Sequence, residues 1–336
     1  MSYKYTHFIK ENIAPVGAKS IGVYKGDTLV ATIPLGRLAR PGGDPLYSFG
    51  LVSDSHVYGS GSSWNGDNKF ASALAYFNGI GCAFCIHCGD MTDNGFYNYN
   101  TKERDLTQFA KYKEICDSYP NLPVYGICGN HESITGIPIT NDLTALETYT
   151  GHGLYYSITR GNDLFILIGQ PTHKYVMSDD AFAWLGQTLN ANTDKRCFVF
   201  IHSYIEEDSG DAVDLRENSM FDDGYWGATN RNNFLNLMRQ HPNAVLFHGH
   251  SHVKLECQEY DVNANYTERN GFKSVHVPSV GKPRFIKDGA MIDDNAGSQG
   301  YVVDVYDDCI VLNGMDLVNN ECVPVGCYMI ESALNN

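Results

Sequence analysis

Much that would have placed this chain quickly is missing from it. No lysine and arginine cluster interrupts its 336 residues, and 24 basic side chains face 39 Asp and Glu, a formal net charge of −15. An acidic chain without a basic patch repels polyanions, so neither a nucleic-acid polymer nor an anionic membrane is expected as a partner. No apolar run approaches the roughly 18 residues of a membrane span. Met1 to Gly17 holds no basic segment followed by an apolar one, so an ordinary secretory signal is not expected either. Internal repeats and low-complexity tracts are absent. Cysteine is plentiful, with ten residues, but Cys85, Cys128 and Cys197 stand in apolar, strand-like runs where the thiol acts as a small hydrophobe. A reduced, soluble, cytoplasmic protein is the expectation.

What is there is a globular composition, 43% hydrophobic and 19% charged, long enough to bury one large core or two modest ones. Met1 to Pro45 reads as an appendage. Ser20 to Tyr24 and Thr28 to Ile33 flank a hairpin turn at Lys25-Gly26-Asp27, and Arg40 to Pro45 reads as a linker. An extra hairpin edging the main sheet is the other reading of this region. From Leu46 the pattern alternates. Strands are predicted at Tyr47 to Val52, Cys82 to Cys88, Pro123 to Cys128, Leu164 to Ile168, Cys197 to Ile201 and Val245 to His248. Helices are predicted at Asn68 to Asn78, Thr101 to Tyr119, Ser178 to Leu189 and Asn232 to Gln240. That order implies an α/β core with its site at the carboxyl ends of the strands. After His252, Ser274 to Val280, Tyr301 to Tyr306 and Cys309 to Leu312 are strand-like with hardly any helix between them.

Five of the strand ends share one device: an apolar run stops and Asp, Asn or His follows. They are Ser53-Asp54-Ser55-His56, Gly89-Asp90-Met91-Thr92-Asp93, Gly129-Asn130-His131-Glu132, Ile201-His202 and Gly249-His250-Ser251-His252. In an extended segment residues i and i+2 face one side, so Asp54 with His56, and His250 with His252, could each present two ligands together. Adjacent Asn130 and His131 cannot easily do so, which leaves one of them for another task. Two Asp, one Asn and four His make an oxygen and nitrogen donor set without thiolate, suited to Mn, Fe, Zn or Ni rather than Ca or Mg. Seven donors exceed the needs of one tetrahedral ion and point to two ions sharing a carboxylate.

The ordered series Asp-x-His, Gly-Asp-x-x-Asp, Gly-Asn-His-Glu, a lone His and Gly-His-x-His resembles the calcineurin-like metallophosphoesterase family over roughly Leu46 to His252, with every signature position filled. The resemblance implies a four-layer αββα sandwich, with the strands of about 273–330 in a second sheet and one domain over 46–336. It implies one metal held by Asp54, His56, Asp90 and His252 and another by Asp90, Asn130, His202 and His250, with Asp90 bridging. His131 would act as general acid or contact the phosphate, oriented by Asp93. Two divalent transition-metal ions, Mn or Fe before Zn or Ni, would activate water against a phosphate ester.

Other readings bear on the same residues. A lone His at a strand end is more often structural than a ligand, and this applies to His7, His87, His152, His173, His241, His248 and His276. Cys82, Cys85 and Cys88 have the spacing of part of an iron–sulfur site, but strand alternation turns Cys85 away from the other two and no fourth partner stands at cluster spacing. The acidic stretch Ile205 to Ala228 follows His202. It reads as a lid whose Tyr225 and Trp226 could stack on a base or sugar, or as a solvated loop, and Gly151 to Tyr156 is a second possible rim. The function expected is hydrolysis of a small phosphodiester, such as a cyclic nucleotide or glycerophosphodiester. Phosphomonoesterase and then nuclease are the alternatives, and a non-catalytic scaffold of the same fold is a distant one.

Overall fold

The computed structural model describes residues 43–59, 64–93, 102–132, 143–170, 177–203, 227–259, 265–268, 271–287 and 290–332, with strand backbone also at 3–4, 20–25 and 28–34. In chain order, β1 (Tyr3–Lys4) is followed by β2 (Ser20–Lys25) and β3 (Thr28–Pro34), which pair antiparallel with each other. Next come β4 (Tyr47–Val52), α1 (Gly66–Gly79), β5 (Cys85–His87), α2 (Lys102–Asp117), β6 (Val124–Gly126) and α3 (Leu143–Thr150). Then follow β7 (Tyr155–Arg160), β8 (Asp163–Ile168), α4 (Asp179–Asn190), β9 (Arg196–Phe200), α5 (Gly227–Gln240) and β10 (Ala244–His248). The last third is strands: β11 (Tyr266–Thr267), β12 (Lys273–His276), β13 (Arg284–Lys287), β14 (Ala290–Asp293), β15 (Gln299–Val305), β16 (Cys309–Asp316), β17 (Glu321–Cys322) and β18 (Tyr328–Glu331).

Strand alternation explains how these elements stack. In β8, Phe165 and Leu167 face one core while Leu164, Ile166 and Ile168 face another. β9 divides the same way, Phe198 and Phe200 against Cys197 and Val199, and so does β10, Val245 and Phe247 against Ala244 and Leu246. A strand apolar on both faces must be covered on both. The shared inner core joins these residues to Phe49, Leu51 and Ile86 of the other sheet and to Tyr301, Val303, Ile310 and Leu312. Outside, α1, α2 and α3 cover the first sheet through Phe70, Phe77, Phe109, Ile115 and Leu146. α4 and α5 cover the second through Ala181, Leu185, Phe234 and Met238. The four-layer αββα arrangement follows. α4 begins where the sequence predicts, because Ser178 accepts a hydrogen bond from the Ala181 amide and Asp179 and Asp180 lie in the first turn.

The first sheet runs β1-β18-β16-β15-β4-β5-β6 with β17 on β16, and the second β11-β12-β10-β9-β8-β7. β15 pairs with β4 and β16 with β15 in the first sheet, β11 and β12 extend the second, and β13 and β14 pair with each other. The carboxyl-terminal strands are thus divided between the two sheets, whereas the sequence reading put them all in the second. β4, β5 and β6 are mutually parallel, as are β8, β9, β10 and β12. Parallel neighbours bring their carboxyl ends to one edge, so the Asp, Asn and His tips of both sheets meet there.

β5 is shorter than the predicted Cys82 to Cys88, because the Cys82 amide closes α1 on the Phe77 carbonyl and pairing starts at Cys85. Cys82 therefore shares the α-helical side with Cys85, and Cys88 alone faces the inner core. Gly151 to Tyr156 leads into β7, an edge strand, and α3 was not anticipated. Among the described residues no helix is long and apolar enough to cross a membrane.

Candidate metal centre

Backbone conformation singles out the strand tips. Among the described residues seven non-glycine residues have positive φ, and five of them are Asp54, His56, Asp90, His250 and His252. The left-handed region is costly for such residues and is kept where the surroundings fix it. These tips are not the extended segments assumed from the sequence. Left-handed turns send His250 and His252 into different groups, His252 to Asp54, His56 and Asp90, and His250 to Asp90 and His202. Glycines allow the crowding: a Cβ at Gly89 would overlap the His202 ring, and one at Gly129 the Asp90 carboxylate.

Each carboxylate spends one oxygen on a backbone amide and turns the other inward. Asp54 Oδ2 accepts from the His250 amide at 3.1 Å, and Asp90 Oδ1 from the His131 amide at 2.9 Å. Asp54 Oδ1 and Asp90 Oδ2 are buried and have no hydrogen-bond partner among the described residues. The inward oxygens face imidazole nitrogens: Asp54 Oδ1 lies 3.0 Å from His252 Nε2, and Asp90 Oδ2 lies 3.1 Å from His202 Nε2 and 3.9 Å from His56 Nε2. Asp90 Oδ2 thereby reaches a histidine of each group.

The histidine tautomers follow from their outer partners. His202 Nδ1 donates to the Cys88 carbonyl at 2.8 Å, His252 Nδ1 to the Lys282 carbonyl at 2.9 Å, and His56 Nδ1 to Asp93 Oδ1 at 2.9 Å. In the neutral ring each bond leaves the Nε2 lone pair pointing inward. His56 Nε2 and His252 Nε2 then oppose each other at 3.0 Å, and His202 Nε2 faces Asn130 Oδ1 at 3.2 Å. Lone pairs and carboxylate oxygens crowded together in a buried space call for cations, so the donor set fits a dinuclear metal site. Without cations, protons must take that place. Burial alone would lower the pKa of His202, but Asp90 and Asp54 reverse this and push it up to about 10. Burial likewise works to raise the Asp54 and Asp90 carboxyls, yet the facing imidazoles hold both well below the usual range. His250, buried and beside His202, is pushed down to about 3.

His131 stands apart from the two groups. Its ring meets His56 edge-on at 4.7 Å, its Nε2 lies 3.9 Å from Asp90 Oδ2, and 16% of its side chain is exposed. Burial pushes its pKa down, with Asp90 and Asp93 opposing. Asp93, expected to orient His131, accepts a short hydrogen bond from His56 Nδ1, and its carboxylate lies 3.7 Å from His131 Nδ1, beyond hydrogen-bond distance. Tyr225 and Trp226, with nearly all of the acidic stretch around them, lie outside the described residues, as do His7 and His173. His87 is structural: it bonds Ser55 Oγ at 2.9 Å, and burial pushes its pKa down to about 3.

Sequence reasoning gave Glu132 no task. Its buried carboxylate takes the amides of Gly129 at 2.6 Å and Asp90 at 3.1 Å on one oxygen, and the Thr92 amide at 2.8 Å on the other, tying the Asp90 loop to the Asn130 loop. Burial and the neighbouring Asp90 push its pKa up to about 8 against those amides. An acidic residue ending a ligand motif was the only signal. Glu132→Gln replaces one acceptor oxygen by a donor facing donors. It is expected to lower stability by about 1–3 kcal/mol, read from the denaturant midpoint at constant m-value.

Residues 47–254 match the family of calcineurin-like phosphoesterases. A dimetal phosphatase from Danio rerio has a similar fold, with a TM-score of 0.60 and 14% identity over 86% of this chain and 100% of its own. The Plasmodium protein described as the anchor in the inner membrane complex is also similar, with a TM-score of 0.52 and 12% identity over 86% of this chain and 89% of its own. No curated protein matches the sequence. With its ordered motifs gathered at one sheet edge and most of its length matched, the chain belongs to the calcineurin-like phosphoesterase family.

Proposed function

We propose that the chain hydrolyses small phosphodiesters, of the cyclic-nucleotide or glycerophosphodiester kind, with two divalent transition-metal ions, Mn or Fe before Zn or Ni. Asp54, His56, Asp90 and His252 would hold one ion, and Asp90, Asn130, His202 and His250 the other. Such ions supply Lewis acidity that activates water at neutral pH and offsets phosphoryl charge. The observation that carries the reading is the inward Asp90 Oδ2, buried, without a hydrogen-bond partner and facing a histidine of each group. His131, at the rim of both groups, is suited to meet the phosphoryl group or the departing oxygen.

Charge favours the diester. Two divalent ions against two carboxylates leave two positive charges, which a diester monoanion and one deprotonated water balance, whereas a monoester dianion with the same deprotonated water exceeds them by one. Among the described residues no Lys or Arg pairs with Asp54, Asp90 or Asp93 to take up the excess. The manganese-loaded protein is therefore expected to give a larger kcat/KM on bis-p-nitrophenyl phosphate than on p-nitrophenyl phosphate. The reverse order would overturn the diester preference.

A further inference from the structure

Behind His252 runs a strap that none of the five motifs includes, Ser279-Val280-Gly281-Lys282. Ser279 Oγ and the Gly281 amide both donate to the Asp54 carbonyl, at 2.8 and 3.1 Å. The Lys282 amide donates to Ser279 Oγ at 2.7 Å, and the Lys282 carbonyl receives His252 Nδ1. Lys282 is thus fixed to two ligand loops through its backbone alone, and its side chain is left for other work.

That side chain lies on Trp64, with Nζ 4.4 Å from the ring centroid. Trp64 belongs to the loop that carries His56: Gly66, two residues on, packs against the Ser55 and His56 carbonyls, and Asp67 holds the Tyr58 and Gly59 amides. The ammonium therefore sits against the Trp64 ring, on a segment whose backbone is tied to the loops of Asp54 and His252. Lys254, Arg284, Lys111, Lys113 and Arg196 all form ion pairs, whereas no carboxylate pairs with Lys282 among the described residues, in a chain of net charge −15. A second amine, Lys69 Nζ, donates to the Gly281 carbonyl at 2.8 Å and adds positive charge to the same strap.

We infer that Lys282 is a specificity-determining residue, binding a further anionic group, a phosphate or carboxylate, on the non-reacting side of the substrate. The Trp64 ring holds the ammonium in place without neutralising it. This rests on the diester reading and narrows it to diesters that carry a second charge at a distance from the reacting phosphorus. A single cation placed there compensates one such charge and leaves the balance at the metal pair unaltered.

The test compares two matched substrates on the manganese-loaded protein, the 5′-p-nitrophenyl ester of thymidine 5′-phosphate and the same ester bearing a 3′-phosphate. Reacting diester and leaving group are identical, so their kcat/KM ratio isolates the added charge. The native chain is expected to favour the 3′-phosphorylated ester at least tenfold, mostly through KM. Lys282→Gln is expected to bring the ratio near one, keep two metal ions per chain and leave the plain ester within threefold. Trp64→Leu should lower the ratio part of the way. Equal use of both esters by the native protein, a ratio unchanged in Lys282→Gln, or loss of metal in that variant would overturn the inference. A larger kcat/KM for p-nitrophenyl phosphate than for either ester would overturn the diester preference alone, because the ratio of the two nucleotide esters still reports on Lys282.

Discussion

Asp90→Asn is expected to cut kcat/KM by at least roughly 10²–10³-fold, the loss that follows removal of one group stabilising transition-state charge, and to lower metal content from two ions per chain, while the fold survives. The two halves of the side chain explain the combination. Oδ1, which accepts from the His131 amide, is kept by the amide side chain, so the backbone of the Asn130 loop remains anchored. Oδ2, the inward oxygen, becomes an NH₂ that can donate to His202 Nε2 3.1 Å away. The acceptor proposed to bridge the ions is thus replaced by a donor that satisfies the histidine and repels cations. The metal-free proteins should differ in their pH response. In the native chain the His202 pKa is raised from its ordinary value to about 10, so the Asp90–His202 attraction stabilises the metal-free fold fully below about pH 6.5 and fades as pH rises towards 10. In Asp90→Asn that slope should shrink, since Asp54 alone remains to hold the proton. Metal analysis with thermal unfolding across pH 6 to 10 decides the matter. Two ions retained with full activity would mean that Asp90 does not bridge.

The parts legible in the sequence were those written locally. β4 has the predicted bounds, Tyr47–Val52, because an apolar strand followed by Ser53-Asp54 leaves little choice of ending. The strand tips were visible because Asp, Asn and His directly after a buried run have few structural reasons to be there. What stayed hidden depends on partners distant in the chain. β7 is an edge strand with no fully buried residue, so it shows no apolar run. Asp93 stands as close in sequence to several candidate histidines as spacing can resolve, and only the folded loops show that His56 takes its hydrogen bond. The left-handed turns at Asp54, His56, Asp90, His250 and His252 are uncommon for any non-glycine residue, and although Asp and His enter that region more readily than most, most Asp and His do not, so residue type alone does not locate them. The strap at 279–282, which in sequence is only the end of the strand-like run Ser274 to Val280 and the two residues after it, shows its task once its amides and carbonyl are seen on Asp54 and His252.

His131→Ala should slow esters of alkoxide leaving groups by roughly 10²–10⁴-fold, the usual worth of general acid catalysis, and slow p-nitrophenyl esters far less. A nitrophenolate departs with little need of a proton, whereas a glycerol or sugar alkoxide needs one as the P–O bond breaks. The geometry sets His131 apart from the other histidines. His56, His202 and His252 each anchor Nδ1 on an oxygen and turn Nε2 into the centre, while the His131 ring stands edge-on to His56 at the rim. Burial lowers its pKa, so in the free protein the ring gives up its proton more readily than an exposed histidine, and Asp90 and Asp93 temper that fall. Acidity of this kind suits a proton donor provided substrate binding occurs while the ring is charged. The limb of the kcat/KM profile that falls as pH rises through the His131 pKa should therefore flatten in His131→Ala. Asp93→Asn is expected to do two things, because its carboxylate is bonded to His56 and lies 3.7 Å from His131 Nδ1. It should weaken metal binding around His56 as well as steepen the leaving-group dependence, more mildly than His131→Ala, and metal content separates the two. His131 also stands with His56 and Asp93 in a cluster compact enough to hold an ion. Loss of metal in His131→Ala would place it among the ligands, and equal losses across the leaving-group series would confine it to contact with the phosphoryl oxygens.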